Sequence, residues 1–401
     1  MNIRHWLGIG ALTAVVAACG GGGGIGGTGG TLGTLRMSIT DAPSCGYDEV
    51  NVTIEKVRVH QSASAGEADA GWSEIVLNPA KRVDLLSLSN GVLEELGETQ
   101  LPAGTYTQVR LVLASNGAGA PFANSVVLSD TGTEVALDTP SGQQSGLKLN
   151  ANIDVPADKI ADVVLDFDAC KSVVKRGNSG RYNLKPVIAV IPVLSDAGMR
   201  IVGWISPAIA ASAPSVSVQA SGVPVKSTVP DAVTGRFVLY PVPAGTYDLV
   251  IGANGRVTSV MTGVPVVTTA YTYVNAQTLP IAPAAAASAP RAVTGVVAPA
   301  AAASAATVRA LQSFTTGPTV EVAFAPVDAD TGAFAFSLPV DAPQKTTFVG
   351  TPGTQPPAPV TFTADAPRAG LYTLEAASAG ITKVQAIDAK AAVPPVTFTF
   401  P

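Results

Sequence analysis

Apolar and polar positions alternate through most of the chain. In residues 47–60, YDEVNVTIEKVRVH, Val50, Val52 and Ile54 share one face, and Val57 and Val59 follow after a spacing of three. A bulge at Glu55 or Lys56 returns both sets to the same side of a strand. Similar runs predict strands over Leu35–Thr40, Trp72–Leu77, Thr105–Leu113, Ala161–Phe167 and Tyr182–Ile191, and Ser89–Leu96 reads as a short helical turn. Helical stretches of roughly 10–15 residues do not separate these strands, as βαβ units would require. The expectation is a mainly β, antiparallel fold.

A short motif recurs. Ala103-Gly104-Thr105-Tyr106, Ala244-Gly245-Thr246-Tyr247 and Ala369-Gly370-Leu371-Tyr372 each precede an alternating run. Asp231-Ala232-Val233-Thr234-Gly235-Arg236-Phe237 also matches Asp328-Ala329-Asp330-Thr331-Gly332-Ala333-Phe334. Such self-similarity predicts three tandem β-sandwich-like units, each with a buried tyrosine just after a Gly turn. The Asp328 and Asp330 segment reads as a turn in which Asp bonds its own backbone. The last copy is longer, and its extra residues around Pro352, Pro356, Pro357 and Pro359 read as an extended hairpin or mobile loop. Joined by linkers, the units are expected to unfold separately.

Composition narrows the function classes. With 47% hydrophobic residues and a formal charge of -5 in 401 residues, the chain has apolar surface to bury and is not of the disordered class. A pI near 5.1 provides no basic surface for phosphates, so no nucleic-acid partner is expected. Charge changes near residue 196: residues 19–196 hold 13 Lys+Arg against 20 Asp+Glu, and residues 197–401 hold 10 against 9. At the N-terminus, MNIRHWLGIGALTAVVAAC has one Arg, a short apolar run and small residues before Cys19, the form of a secretory signal. The Ala/Pro stretch at residues 281–306 is broken by Pro283, Pro290, Arg291 and Pro299 and reads as a linker rather than a membrane span.

Val16-Ala17-Ala18-Cys19 resembles the bacterial lipobox, which implies acylation at Cys19 and a membrane anchor. Gly20 in the next position implies, by the same resemblance, outer-membrane delivery. Residues 20–34 are a Gly-rich tether with a reach of about 20 Å. Its formal G-x-G-x-x-G, Gly24–Gly29, follows no strand and opens no helix, so it is not a dinucleotide site. The expected organisation is signal 1–18, lipidated Cys and tether 19–34, an acidic β domain 35–196, a sandwich 197–283, a linker 284–290, and a second sandwich repeat 291–401.

MSITDAP at 37–43, YDEVNVTIEKVRVH at 47–60, LPAGTYTQVRLVL at 101–113, VLDFDACKSVV at 164–174 and LKPVI at 184–188 resemble the bacterial lipoprotein domain known as domain of unknown function 4382. DAVTGRFVLYPVPAGTYDLVI at 231–251 resembles carboxypeptidase-regulatory-like, prealbumin-type sandwiches, and residues 291–401 resemble them more weakly. That group includes starch-binding-like modules, which implies carbohydrate affinity.

Residues suited to chemistry are few. Cys45 and Cys170 form an even pair expected to close a disulfide in an oxidising envelope compartment. The closed loop would contribute up to roughly 4–5 kcal/mol in chain-entropy terms. His60 is the one histidine beyond the signal, and Ser172-Val173-Val174-Lys175 matches S-x-x-K without its companion motifs, so neither marks a catalytic site. Asp166 and Asp168 flank Phe167, with Asp162 nearby; they are candidate ligand or metal carboxylates, or else a solvated face. Tyr271 and Tyr273, with Trp204, could form a carbohydrate platform, or serve a core or interface. The sequence thus points to a non-enzymatic, acylated envelope lipoprotein without a cofactor, anchored by its acyl chains, whose sandwiches act as binding or spacer modules. A polysaccharide or an envelope protein is a candidate partner; the alternative is a carbohydrate-binding surface lipoprotein, and a hydrolase is the weakest reading.

Overall fold

The computed structural model describes residues 31–41 and 46–401. The signal, Cys19, the tether to residue 30 and Cys45 lie outside them. The first unit contains β1 (Leu32–Asp41), β2 (Tyr47–His60), β3 (Ser73–Asp84), β4 (Glu94–Pro102), β5 (Gly104–Leu113), β6 (Ser125–Leu128), β7 (Glu134–Asp138), β8 (Leu147–Val155), β9 (Ile160–Phe167), β10 (Val173–Arg176), β11 (Arg181–Leu184) and β12 (Ile188–Val193). One sheet runs β12-β9-β1-β4; the other runs β10-β11-β7-β6-β2-β5-β8, with β3 also on β2. Alternation puts Leu35, Met37 and Ile39 of β1 and Leu165 and Phe167 of β9 into a common core with Val50, Val52 and Ile54 of β2. The bulge falls between Ile54 and Lys56, against both β3 and β5, and Val57 and Val59 are buried with their upstream partners.

Three sequence expectations change here. β1 begins at Leu32, so residues 32–34 belong to the sheet, with Leu32 opposite Pro102, and not to the tether. The helical turn is one step earlier, at Leu85–Leu88, because the Asp84 side chain caps it by accepting from the Leu86 N–H. Asn90 and Gly91 take φ of 61° and 82°, which ends any helix through 89–96 and turns the chain into β4. The run Tyr182–Ile191 divides into β11 and β12, which lie in different sheets; the break contains Pro186, which has no N–H to pair.

The second and third units share one topology. β13 (Ile201–Trp204), β14 (Ser215–Ala220), β15 (Val223–Thr228), β16 (Arg236–Leu239), β17 (Gly245–Gly252), β18 (Ser259–Val266) and β19 (Thr272–Tyr273) form sheets β16-β13-β19 and β15-β14-β17-β18. The third unit begins with β20 (Arg291–Ala298), β21 (Thr307–Ser313), β22 (Thr319–Pro326) and β23 (Ala333–Leu338). After two inserted strands, β24 (Gln344–Thr347) and β25 (Thr363–Ala364), it ends with β26 (Leu371–Ser378), β27 (Ile381–Asp388) and β28 (Val396–Thr399). Its sheets, β23-β20-β28 and β22-β21-β26-β27, repeat the second unit strand for strand. The matched turns explain the repeated sequence. Asp231 Oδ1 accepts from the Thr234 N–H at 2.7 Å and Asp328 Oδ1 from the Thr331 N–H at 2.8 Å, after which Gly235 and Gly332 take φ of 70° and 72°. Each turn delivers a phenylalanine, Phe237 or Phe334, over a glycine of the opposite strand, Gly203 or Gly295. A Cβ on either glycine would sit 2.4 or 2.2 Å from the ring.

The inserted segment is neither a free hairpin nor a loop outside the fold. β24 pairs in parallel with β18 of the second unit, Ser259 opposite Gln344, and β25 follows it, extending that sheet to six strands. Phe348, Val360 and Phe362 pack against the second unit's core. The linker 284–290 is also held: Ala286 N–H donates to Gly255 O, and Ser288 donates through its N–H and hydroxyl to Asp341. Within the stretch read as linker, residues 291–298 are β20. The fold is mainly β in several sheets, as expected, but its second and third units are interlocked.

Candidate functional site at the junction of the three units

The three units meet pairwise. Between the first and second, Lys226 of β15 forms a buried ion pair with Asp166 of β9. Asn90 is held at both ends, donating from its N–H to Thr228 Oγ1 and accepting at Oδ1 from the Val238 N–H at 2.6 Å. Between the first and third, Lys171 lies 3.0 Å from Glu321, Lys185 Nζ donates to Ala306 O at 3.0 Å, and the Gly177 N–H donates to Asp328 Oδ2. Between the second and third, Gln219 acts as a strand rung: its Nε2 donates to Glu321 O at 2.7 Å and its Oε1 accepts from Glu321 N–H at 2.8 Å. Arg309 joins Glu375 at 2.7 Å and Glu321 at 3.6 Å, and donates to Gly222 O.

Of these residues, Lys171, Gln219 and Glu321 line a cleft of about 370 Å³. Its wall from the first unit is built by a short helix, Ala169–Ser172, that follows β9. Asp168 caps this helix by accepting from the Lys171 N–H at 3.0 Å, and Asp41 Oδ1 accepts from the Ala169 N–H. The helix aims Lys171 between Asp168 and Glu321 and over the Phe324 ring, 5.1 Å from its centroid. Burial raises the Asp166 carboxyl above the usual carboxylate range, opposed by Lys226, and burial likewise raises Asp168, opposed by Lys171.

The structure therefore brings Asp166, Asp168 and Cys170 to one place. The two aspartates are not a solvated face: β9 ends at Phe167, so Asp166 remains on the strand while Asp168 turns into the helix cap. Asp162 is separate, on the exposed side, 3.4 Å from Arg36. No group of three or more metal-capable side chains occurs among the described residues. Cys170 lines the cleft; Cys19 and Cys45 lie outside the described residues.

Trp204, Tyr271 and Tyr273 do come together. Trp204 and Tyr273 stack with centroids 6.4 Å apart and planes at 7°, and Tyr271 tilts against Tyr273. Trp204 is buried, and the group also holds Arg200, whose guanidinium lies 3.9 Å from the Tyr240 centroid and 4.7 Å from that of Tyr271. Leu93 and Val193 of the first unit pack on this cluster, so the aromatics brace the passage between units. Tyr271 and Tyr273 are half-buried.

His60 and Ser172 have structural engagements. His60 Nδ1 accepts from the Ser62 N–H at 2.8 Å, and its Nε2 lies 3.0 Å from Ala70 O. Ser172 is fully buried; its hydroxyl donates to Asp168 O and accepts from the Val187 N–H. Sequence reading missed Lys171, Lys226, Gln219 and Glu321. A signal existed for Lys226, the one charge in the strand VPVKST of a unit poor in charge, whereas the partners of the other three are set by contacts between distant units.

Residues 32–186 match the family model described as Domain of unknown function (DUF4382). No curated protein matches the chain.

Proposed function

We propose that the chain is a non-enzymatic, acylated envelope lipoprotein of the outer membrane whose folded part is a binding head held by a Gly-rich tether. The observation that carries binding over spacing is the direct contact between the first and third units through Lys171–Glu321 and Lys185–Ala306. A spacer of tandem sandwiches extends when only successive units touch, whereas this arrangement folds back and encloses a cleft within the size range of small-molecule sites. The structural engagement of His60 and Ser172 supports the non-enzymatic reading. The repeated topology supports the carboxypeptidase-regulatory-like assignment of the second and third units. A disulfide between Cys45 and Cys170 is supported by register: Asp41 pairs with Phe167, so the two cysteines lie four and three residues beyond one rung of parallel strands.

Anchoring is tested by detergent-phase partition. Wild type enters the detergent phase and Cys19→Ala stays in the aqueous phase with its fold intact; full partition of the variant overturns the lipoprotein reading. Mass spectrometry of the non-reduced protein checks the disulfide. A second reading, saccharide binding on the aromatic face, is favoured by the incomplete burial of Tyr271 and Tyr273.

A further inference from the structure

We propose that the cleft at the three-unit junction binds an uncharged, hydroxyl-rich small molecule on the scale of a single sugar or polyol. The inference rests on the reading of the folded part as a binding head and specifies its site. Each charged side chain that lines it already has an opposite partner: Lys171 sits 3.0 Å from Glu321 and 3.8 Å from Asp168, and Arg309, which also holds Glu375 at 2.7 Å, lies 3.6 Å from Glu321. A charged ligand has to displace one of these half-buried partners, and the separated charge then bears a desolvation cost.

The groups left available are neutral. Tyr47, Ser215 and Ser227 line the cleft, and their hydroxyls make no hydrogen bond to another described residue. They come from the first and second units, so a ligand bonded to Tyr47 and either serine bridges the two. Phe324 and Pro224 supply an apolar wall, the complement to the carbon face of a polyol ring. A volume of about 370 Å³ lies near the lower end for ligand pockets, which matches a small molecule and not a long polymer.

Saturation-transfer NMR on the full-length, detergent-solubilised protein tests this, with D-glucose, N-acetyl-D-glucosamine and myo-inositol as neutral probes and methyl phosphate and glycine as charged ones. The expected result is transfer to at least one neutral probe at millimolar concentration. Ser227→Tyr and Ser215→Tyr, which fill the cleft from two strands, should each weaken it by about tenfold or more, while Tyr273→Ala leaves it unchanged. If Tyr273→Ala abolishes binding and the two filling variants do not, the ligand sits on the aromatic face; the cleft assignment falls and the binding-head reading stands. Binding of methyl phosphate or glycine in place of the neutral probes, lost on filling the cleft, overturns the ligand class alone. Transfer to none of the five probes overturns the proposal, while detergent partition of Cys19→Ala judges the lipoprotein reading independently.

Discussion

Tyr106, Tyr247 and Tyr372 solve the same local problem in three places. Each ring is buried, and each hydroxyl donates to a proline carbonyl: Pro102 at 2.9 Å, Pro243 at 2.8 Å and Pro339 at 2.6 Å. The apolar ring closes the end of a unit while its polar tip reaches backbone at the rim. Tyr247→Phe should cost about 0.5–1.5 kcal/mol, the net worth of one hydrogen bond, and Tyr247→Ala about 3–5 kcal/mol, measured by denaturant unfolding. The A-G-x-Y motif made these three positions legible in the sequence because turn and strand are both local. Asp231 is equally local. Its hydrogen bonds from the Thr234 hydroxyl and N–H hold its carboxyl below the usual carboxylate range. A depressed folded pKa contributes stability above the ordinary value near 3.9, and that contribution is lost as pH falls through the folded one. Asp231→Asn should therefore lower Tm at neutral pH, with the gap to wild type closing below that folded value.

Among elements, the inserted pair β24–β25 is the least legible in sequence. Its prolines suggest a loop, and nothing in QKTT names β18 as its partner, because a parallel pairing between units is not encoded by alternation. The repeat nevertheless locates the insertion: Tyr372 bonds to a carbonyl 33 residues upstream, whereas Tyr106 and Tyr247 bond to carbonyls four residues upstream. Gln344 N–H donates to Thr258 O and Phe348 N–H to Thr262 O, so the amide of Thr346, between them in the two-residue period, faces β18. Thr346→Pro removes that donor. Hydrogen exchange at Ser259–Thr262 should then accelerate by about tenfold or more, the equivalent of about 1.4 kcal/mol, with β27 unaffected. Unchanged protection in β18 would mean that β24 contributes nothing to that edge.

For the whole molecule, the buried Asp166–Lys226 pair ties the first unit to the second. Truncating one partner of such a pair costs about 3–5 kcal/mol, because the remaining charge is stranded in a dry environment. Lys226→Ala should show that loss in chemical denaturation, and Lys226→Met combined with Asp166→Leu should recover most of it, since an apolar pair needs no charge balance. The sequence expectation of separately unfolding units follows from reading residues 284–290 as a free linker. Strand donation, the pinned linker and the junction contacts predict that the second and third units melt in one calorimetric transition.

Strand donation also bears on the order in which the protein is made. Synthesis runs from the N-terminus, and domains generally begin to fold as they emerge. The second unit's own last strand ends at Tyr273, yet its six-stranded sheet is completed by Gln344–Thr347 and Thr363–Ala364. A nascent chain arrested anywhere between those points carries a second unit whose β18 edge is bare, open to pairing with any extended segment nearby. The third unit's insertion thus guards its predecessor, and that protection begins only when residue 344 and those after it have been made.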